Sequence, residues 1–301
     1  MAAGPDAAAA SARLAEFTGL RPLLFSVAYR MLGAASDAED VLQEAWLRYA
    51  DADEVGRPRP YLVRVVTRLC LDELRSAHAR RISYVGPWLP EPVLTGAAAV
   101  DDPLAAVERR ERLSLGALAL LEQLSAAERA VLVLREGLAY SHADIAGAVG
   151  VSAQASRQLL ARARRRLADG PPRQDADPAA HRRLLDALVA AFSTGDTASL
   201  VRLLRDDVAM VSDGGGEAKA ARRVVSGRAK VGRLLVALWP NLPAGTRVEP
   251  VEVNGLPALG VSVAGELRYL VGLDVRDGAV DRVFLVAAPG KLRYAARQRS
   301  Q

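Results

Sequence analysis

The hydrophobic period changes once along this chain, near residue 205, and that change limits the folds open to it. Before this point apolar side chains recur at helical spacing; beyond it they recur at every second position, as on strands. Two stretches excluding regular structure cut the helical part. Residues 84–107 carry Gly86-Pro87, Pro90, Pro92, Gly96 and Asp101-Asp102-Pro103, and a second break runs from Asp169 to Pro178. The expected order is a helical block over 13–83, a linker over 84–107, a helical block over 108–169, and a helix-plus-strand block over 178–301. In the last block, helices at 179–194 and 196–205 precede strands at 208–212, 222–226, 247–253, 258–263, 267–275 and 281–287. Asn254-Gly255, Ala264-Gly265 and Asp277-Gly278 supply tight turns between strands. With 301 residues, the chain can bury two or three separate cores.

Composition excludes several classes of function. No apolar run reaches the length of a membrane span, and Met1 to Ala12 lacks the basic start and apolar centre of a signal peptide. That stretch reads as a disordered tail, and the protein is expected to stay in the cytoplasm. Cys70 is the single cysteine, placed between Leu69 and Leu71 as a buried thiol, and His78, His142 and His181 are scattered. Neither a disulfide nor a metal site is expected, and no cofactor. The formal charge of +5 comes from arginine: Lys219, Lys230 and Lys291 are the only lysines among 40 cations. Arginine's planar fork suits phosphates and base edges, so a polyanionic partner fits.

Against this basic background, residues 37–48 are acidic and amphipathic. Val41, Leu42, Ala45, Trp46 and Tyr49 gather on one side of a helix; Asp40, Gln43, Glu44 and Leu47 form a second, largely polar face at i, i+3, i+4 and i+7. Ser36 with Glu39 suits an N-cap. The polar face reads either as a solvated surface or as a docking surface. A second helix over 60–81, preceded by Arg57-Pro58-Arg59, buries Leu62, Val65, Val66, Leu69 and Leu74. It leaves Arg64, Arg68, Arg75, Arg80 and Arg81 on a basic face, with Tyr61 as an aromatic platform for an unpaired base.

Residues 140–167 read as a helix-turn-helix. Ser141 caps a short helix, Ala146 permits close crossing, Gly150 makes the turn, and Ser152 caps a second helix with Leu159, Leu160 and Ala163 inward. Ala153, Gln154, Ser156, Arg157 and Gln158 lie near its start, where a recognition helix meets bases; Arg162, Arg164, Arg165 and Arg166 follow, suited to phosphates. An αα-hairpin with a charged face is the plainer alternative.

The order of these segments, with Leu-Ser-Ala-Ala-Glu-Arg-Ala-Val-Leu-Val-Leu-Arg at 124–135, resembles the bacterial extracytoplasmic-function sigma factors over roughly residues 13–168. The resemblance implies a multidomain protein: two all-α sigma domains, region 2 and a helix-turn-helix region 4. Asp40, Gln43, Glu44 and Leu47 would then meet the clamp helices of core RNA polymerase. The loop at 52–60, with Arg57 and Arg59, and the basic helix with Tyr61, Arg64, Arg68, Arg75, Arg80 and Arg81 would meet the melted −10 element of promoter DNA. The recognition helix would meet the −35 duplex. Arg68 stands where many members have Asn, so the −10 preference does not carry over in detail.

Trp88-Leu89-Pro90-Glu91-Pro92 resembles the motif after region 2 in the sigma-J-like subgroup, whose C-terminal extension is a SnoaL-like, cone-shaped α+β domain. By its residues alone, the same pentapeptide reads as a polyproline-type spacer with one aromatic anchor. Helices followed by an antiparallel sheet fit that extension, and Asp213-Gly214-Gly215-Gly216 matches the subgroup's glycine motif. Physically, three glycines serve a mobile turn or aim N–H groups at an anion or a neighbouring chain. Where the subgroup often has Asn-Pro-Asp-Lys-Leu, this chain has Ala288-Pro-Gly-Lys291-Leu292 and lacks the Asn and Asp.

The expected function is therefore a non-enzymatic initiation factor, monomeric when free, without a membrane partner, whose extension adjusts activity through the linker. A rival is a SnoaL-like cyclase or isomerase tethered to a helix-turn-helix, with Asp213 and Asp207 as acid/base groups and Trp239 and Met210 lining a pocket. An unidentified small-molecule ligand of that pocket is a further reading. A plain operator-binding repressor is the third, and it leaves the acidic helix without purpose.

Overall fold

The computed structural model describes residues 5–53, 55–82, 84–95, 114–168, 177–194, 196–238 and 242–300, with the backbone alone at 5–9, 77–82, 192 and 193. Residues 96–113, the break at 169–176, and Trp239 lie outside the described residues. Two compact units emerge, one from residues 1–82 and 120–171, the other from 83–119 and 172–301.

The first unit is all helical. Helices α1 (Pro5–Leu32), α2 (Ala35–Ala50) and α3 (Pro58–Ile82) pack on one another around Phe25, Tyr29, Leu42, Tyr49 and Leu62, all essentially inaccessible. Positions 5–12, expected as a tail, continue α1, as their alanine content favours. Gly33, at φ 70°, ends that helix, and its N–H donates to the Tyr29 carbonyl at 2.8 Å. Ser36 does not cap α2: the helix begins at Ala35, with Ala34 at the cap position and no side-chain cap bond. Ala35 and Ala38 are buried, so the first turn is set by packing. The other helices of this unit are α5 (Ala126–Leu132), continued by a π-helical turn over Val133–Gly137, α6 (His142–Val149) and α7 (Ala153–Ala168). Helix α4 (Leu115–Leu121) spans the division between the units. Ser125 and Glu128 form a complete capping box at the start of α5.

The second unit holds α8 (Pro178–Thr194), α9 (Thr197–Leu203), β1 (Leu204–Asp213), β2 (Val225–Ser226), α10 (Arg228–Leu238), β3 (Thr246–Val253), β4 (Leu256–Val263), β5 (Glu266–Arg276), β6 (Ala279–Val286) and α11 (Pro289–Ser300). Strands β3 to β6 form a meander whose three turns fall on the expected dipeptides, each with positive φ at both residues. The sheet is mixed, not antiparallel throughout: its order is β2-β1-β6-β5-β4-β3, and β1 pairs parallel to β6. Helices α10 and α11 are additional to the expected set.

Both faces of this sheet are covered, which is why seven of the eight residues of β4 are buried. Alternate residues feed opposite cores. Met210, Leu259, Leu273, Val283 and Leu285 join Leu185 and Leu188 of α8 and Val231 and Leu235 of α10. Ala258, Leu270, Phe284 and Val286 face the other way, towards Leu292 and Ala295 of α11, Leu115 of α4, and Leu89 and Leu94. The last two belong to the expected linker, whose pentapeptide at 88–92 reads by its residues alone as a spacer with one aromatic anchor. Residues 89–95 are instead all buried in the second unit.

Candidate functional site

Three surfaces carry the residues singled out by sequence, two in the helical unit and one in the other. On α2 the apolar stripe packs inward, held by the Phe17–Trp46 ring contact at 5.2 Å and by Tyr49, whose hydroxyl donates to Glu16 Oε2 at 2.6 Å. Burial, then the bond to Glu16, pushes the Tyr49 phenol up to about 12. Opposite this stripe Asp40 and Gln43 are exposed, Glu44 is half-buried, and Leu47 is 57% exposed, unusual for so large an apolar side chain. Glu44 takes an exposed i,i+4 ion pair from Arg48 at 2.8 Å, which leaves Asp40 as the less compensated charge of this face.

The basic set divides. Arg57, Arg59, Arg64, Arg68 and Arg75 are exposed, while the side chains of Arg80 and Arg81 lie outside the described residues. Tyr61 is partly covered, with the Arg64 guanidinium 5.7 Å over its ring and Tyr49 6.1 Å away. Arg75 pairs with Asp72 one turn back. Arg68 reaches across to the helix-turn-helix, donating to the carbonyls of Gly147 at 3.0 Å and Ala148 at 3.4 Å at the end of α6. In this arrangement its guanidinium serves as a helix C-cap rather than as a free cation.

The helix-turn-helix forms as its local chemistry requires. Ser141 Oγ accepts from Asp144 N–H, Gly150 closes α6 at φ 80°, and Ser152 Oγ accepts from Ala155 N–H at 3.0 Å. Leu159, Leu160 and Ala163 are buried, and Gln154, Arg157 and Gln158 are exposed, with Ala153 intermediate. Ser156 departs from expectation: it has no accessible surface, and its Oγ lies 2.9 Å from His142 Nδ1. It joins the two helices and has no exposed surface of its own. Further along α7, Arg166 and Arg162 lie 2.9 and 3.9 Å from the Glu128 carboxylate, and Arg164 pairs with Glu136 at 2.5 Å. Arg165 donates to the carbonyl one turn back, at 3.4 Å, and pairs with no carboxylate among the described residues. Burial would raise Glu128, but the Ser125 amide and hydroxyl and the two arginines outweigh it and hold the carboxyl below its usual range.

The third surface surrounds the linker. Asp213, fully buried at the end of β1, accepts from Tyr84 hydroxyl at 2.5 Å, Leu89 N–H at 2.7 Å, Gly215 N–H at 3.1 Å and Lys291 Nζ at 2.5 Å. Lys291 also donates to the Leu89 carbonyl, and its ammonium sits 3.2 Å from the Trp88 ring centroid and 4.9 Å from that of Tyr84. Burial, then the bond to Asp213, pushes the Tyr84 phenol well above its usual range. The glycine motif is held against the linker: a Cβ on Gly215 would stand 3.3 Å from the Tyr84 hydroxyl, and one on Gly216 3.2 Å from Val85. The linker then runs beside β3, with Thr95 N–H donating to Glu252 O at 3.0 Å and Asn254 N–H to Val93 O at 2.9 Å. Gln298 of α11 pairs with both backbone groups of Leu94, at 2.8 and 3.1 Å, as a neighbouring strand would. Leu292 lies in the core beneath Leu89 and Leu94, and Pro90, Glu91 and Pro92 are buried with them. Sequence reasoning found Trp88, Asp213, Lys291 and Leu292. It missed Tyr84 and Gln298, which have no local signature, and read Asn254 only as a turn residue.

Among the described residues no group of histidine, cysteine and acidic side chains fits a metal ion, and no helix is long and apolar enough to cross a membrane. Cys70 is buried, and burial raises its thiol far above the ordinary range.

Comparison with known proteins places these modules. Residues 17–80 match the family model for Sigma-70 region 2, and residues 115–167 match that for Sigma-70, region 4. The chain is 41% identical to the ECF RNA polymerase sigma factor SigJ of Mycobacterium tuberculosis, over 92% of each protein. It is 32% identical to the probable ECF RNA polymerase sigma factor SigI of that species, over 90% of this chain and 92% of that one. The crystal structure of the M. tuberculosis extracytoplasmic function sigma factor SigJ superimposes with a TM-score of 0.77 at 38% identity, covering 93% of this chain and 98% of that one.

Proposed function

The chain belongs to the extracytoplasmic-function RNA polymerase sigma factors, and from that premise we propose which of its surfaces meets which partner. Core RNA polymerase docks on the α2 face of Asp40, Gln43, Glu44 and Leu47. Promoter DNA is held at the −10 element by α3 and its preceding loop, and at the −35 element by Gln154, Arg157 and Gln158, with Arg162, Arg164 and Arg165 on phosphates. Region 2 spans 13–83 and region 4 spans 108–169, each acting as a separate binding module. The observation that carries this reading is the separation of charge within one helical unit. An acidic face with an exposed leucine stands on α2, and the exposed arginines stand on α3 and α7. Acids on the docking face disfavour DNA there and leave the arginines to the promoter.

The experiment is binding of the Asp40→Arg, Glu44→Arg variant to core polymerase. Affinity is expected to fall at least tenfold with an unchanged circular dichroism spectrum; unchanged affinity refutes the docking assignment. Run-off transcription then separates this role from that of a repressor, which would occlude rather than initiate.

The C-terminal domain acts on the linker, not on a substrate. Both carboxylates available to a catalytic reading are already engaged: Asp213 by four donors, and Asp207 by Arg205 at 3.0 Å and Arg276 at 3.0 Å. Hydrogen bonding to Arg205 holds Asp207 below its usual range, the wrong direction for a general acid near neutrality. The linker contacts support regulation through residues 84–95, because truncation near residue 170 would strip Leu89 and Leu94 of their cover.

A further inference from the structure

Between the α8/α10 side of the second unit and its sheet lies a cavity of about 500 Å³. Met210, Leu235, Val261, Val271 and Leu285 are among its walls, and almost every other lining side chain is apolar. Protein interiors seldom leave so large a volume unfilled, and an apolar cavity of this size falls within the range that takes small ligands. Two polar side chains interrupt the lining, Tyr269 and Lys219. Lys219 is exposed and makes no ion pair among the described residues; Leu238, also lining the cavity, is 40% exposed. A cation and an uncovered leucine therefore mark the mouth of an apolar chamber.

Lys219 stands on the short loop that begins with the glycine motif. The Gly214 carbonyl accepts from Glu217 N–H at 3.0 Å and Ala218 N–H at 2.9 Å, and a Cβ on Gly214 would stand 2.5 Å from the Ala218 carbonyl oxygen. The two halves of this loop meet closely at Gly214, with the Ala220 Cβ 2.8 Å from the same point. Its other side lies against Tyr84 and Val85, and Gly86 is packed 3.6 Å from the Arg222 Cα by the same measure. One loop thus borders both the cavity and the linker.

The geometry points to a binding site for a long-chain carboxylate, its hydrocarbon body in the cavity and its head on Lys219, whose occupancy is passed through the 213–222 loop to residues 84–88. The second half rests on the reading of the linker as the control segment; the first does not. Dodecanoate, below its micellar range, is the probe, titrated calorimetrically into the full chain, with dodecanol as its uncharged counterpart. Saturable one-to-one binding of dodecanoate is expected. Lys219→Ala should weaken it about tenfold, the size of one partly exposed charge-assisted bond, while shifting dodecanol less than twofold. Absence of saturable dodecanoate binding overturns the site. Equal loss of both probes, or loss of neither, overturns the role of Lys219. At saturation, hydrogen exchange of residues 84–95 should change at least threefold in the parent chain and not in Lys219→Ala at equal occupancy; unchanged exchange in the parent overturns the coupling. No measurement here uses polymerase, so a negative result leaves the initiation reading standing.

Discussion

Replacing Asp213 by asparagine removes one charge from the linker clasp with almost no change of shape. The amide oxygen can still accept from Leu89 N–H, but Lys291 is left as a buried ammonium, its side chain 10% exposed, that has lost its carboxylate and keeps the Leu89 carbonyl and the Trp88 and Tyr84 rings. Breaking a buried pair by removing one partner typically costs about 3 to 5 kcal/mol. The cost is limited by the alternative, release of the linker, which would expose Leu89 and Leu94 at roughly 1.5 to 3 kcal/mol each and open the Gln298 pairing. Local stability of residues 84–95 should therefore fall by about 3 kcal/mol, equivalent to roughly 100-fold faster exchange of the Leu89, Leu94 and Thr95 amides. Hydrogen-exchange mass spectrometry reads this directly. The double variant Asp213→Asn, Lys291→Met removes both charges and should recover to within about 1 kcal/mol of the parent. If exchange over 84–95 changes less than threefold in the single variant, or if the double variant loses the sum of both singles, the pair does not hold the linker.

Arg157→Ala and Ser156→Ala, adjacent on α7, should separate cleanly. The first should weaken a −35 footprint without altering thermal stability; the second should lower stability by about 1 kcal/mol and leave base preference intact, because its hydroxyl bonds His142. Glu128 is depressed, so it stabilises the fold above its unfolded value and that contribution is lost as pH falls through its folded value. Glu128→Gln should accordingly be less stable at pH 7 and show a flatter loss of melting temperature on acidification below about pH 5. At Gly116 a Cβ would stand 2.3 Å from Asp274 Oδ2, so Gly116→Ala should destabilise the second unit by about 1 to 3 kcal/mol in calorimetry, while an unshifted transition would mean α4 is loosely held.

What was legible in the sequence was local. The caps of α6 and α7, the Gly150 turn and the three strand turns each depend on residues within a few positions of one another, and each formed as read. Ser156 was legible as well: it lies at i, i+3, i+4 and i+7 with Leu159, Leu160 and Ala163, the stripe that is buried, and its polar character concealed that register. The parallel pairing of β1 with β6 had no such signal, because alternation gives faces and not strand direction. The linker is the harder case. A proline-rich run with one tryptophan looks the same whether it spans solvent or lies in a groove, and the groups that decide between these stand far away in sequence: Asp213 bonds Leu89 across 124 positions and Gln298 bonds Leu94 across 204. A single glutamine near the end of a basic helix carries no pattern of its own. Its meaning arises only where the backbone of Leu94 has left the strand ladder's edge unpaired and a side-chain amide of matching geometry fills it. The same holds for Asp213 and Lys291, whose buried charges are tolerable together because the Leu89 amide, the Leu89 carbonyl and the Trp88 ring arrive to share them.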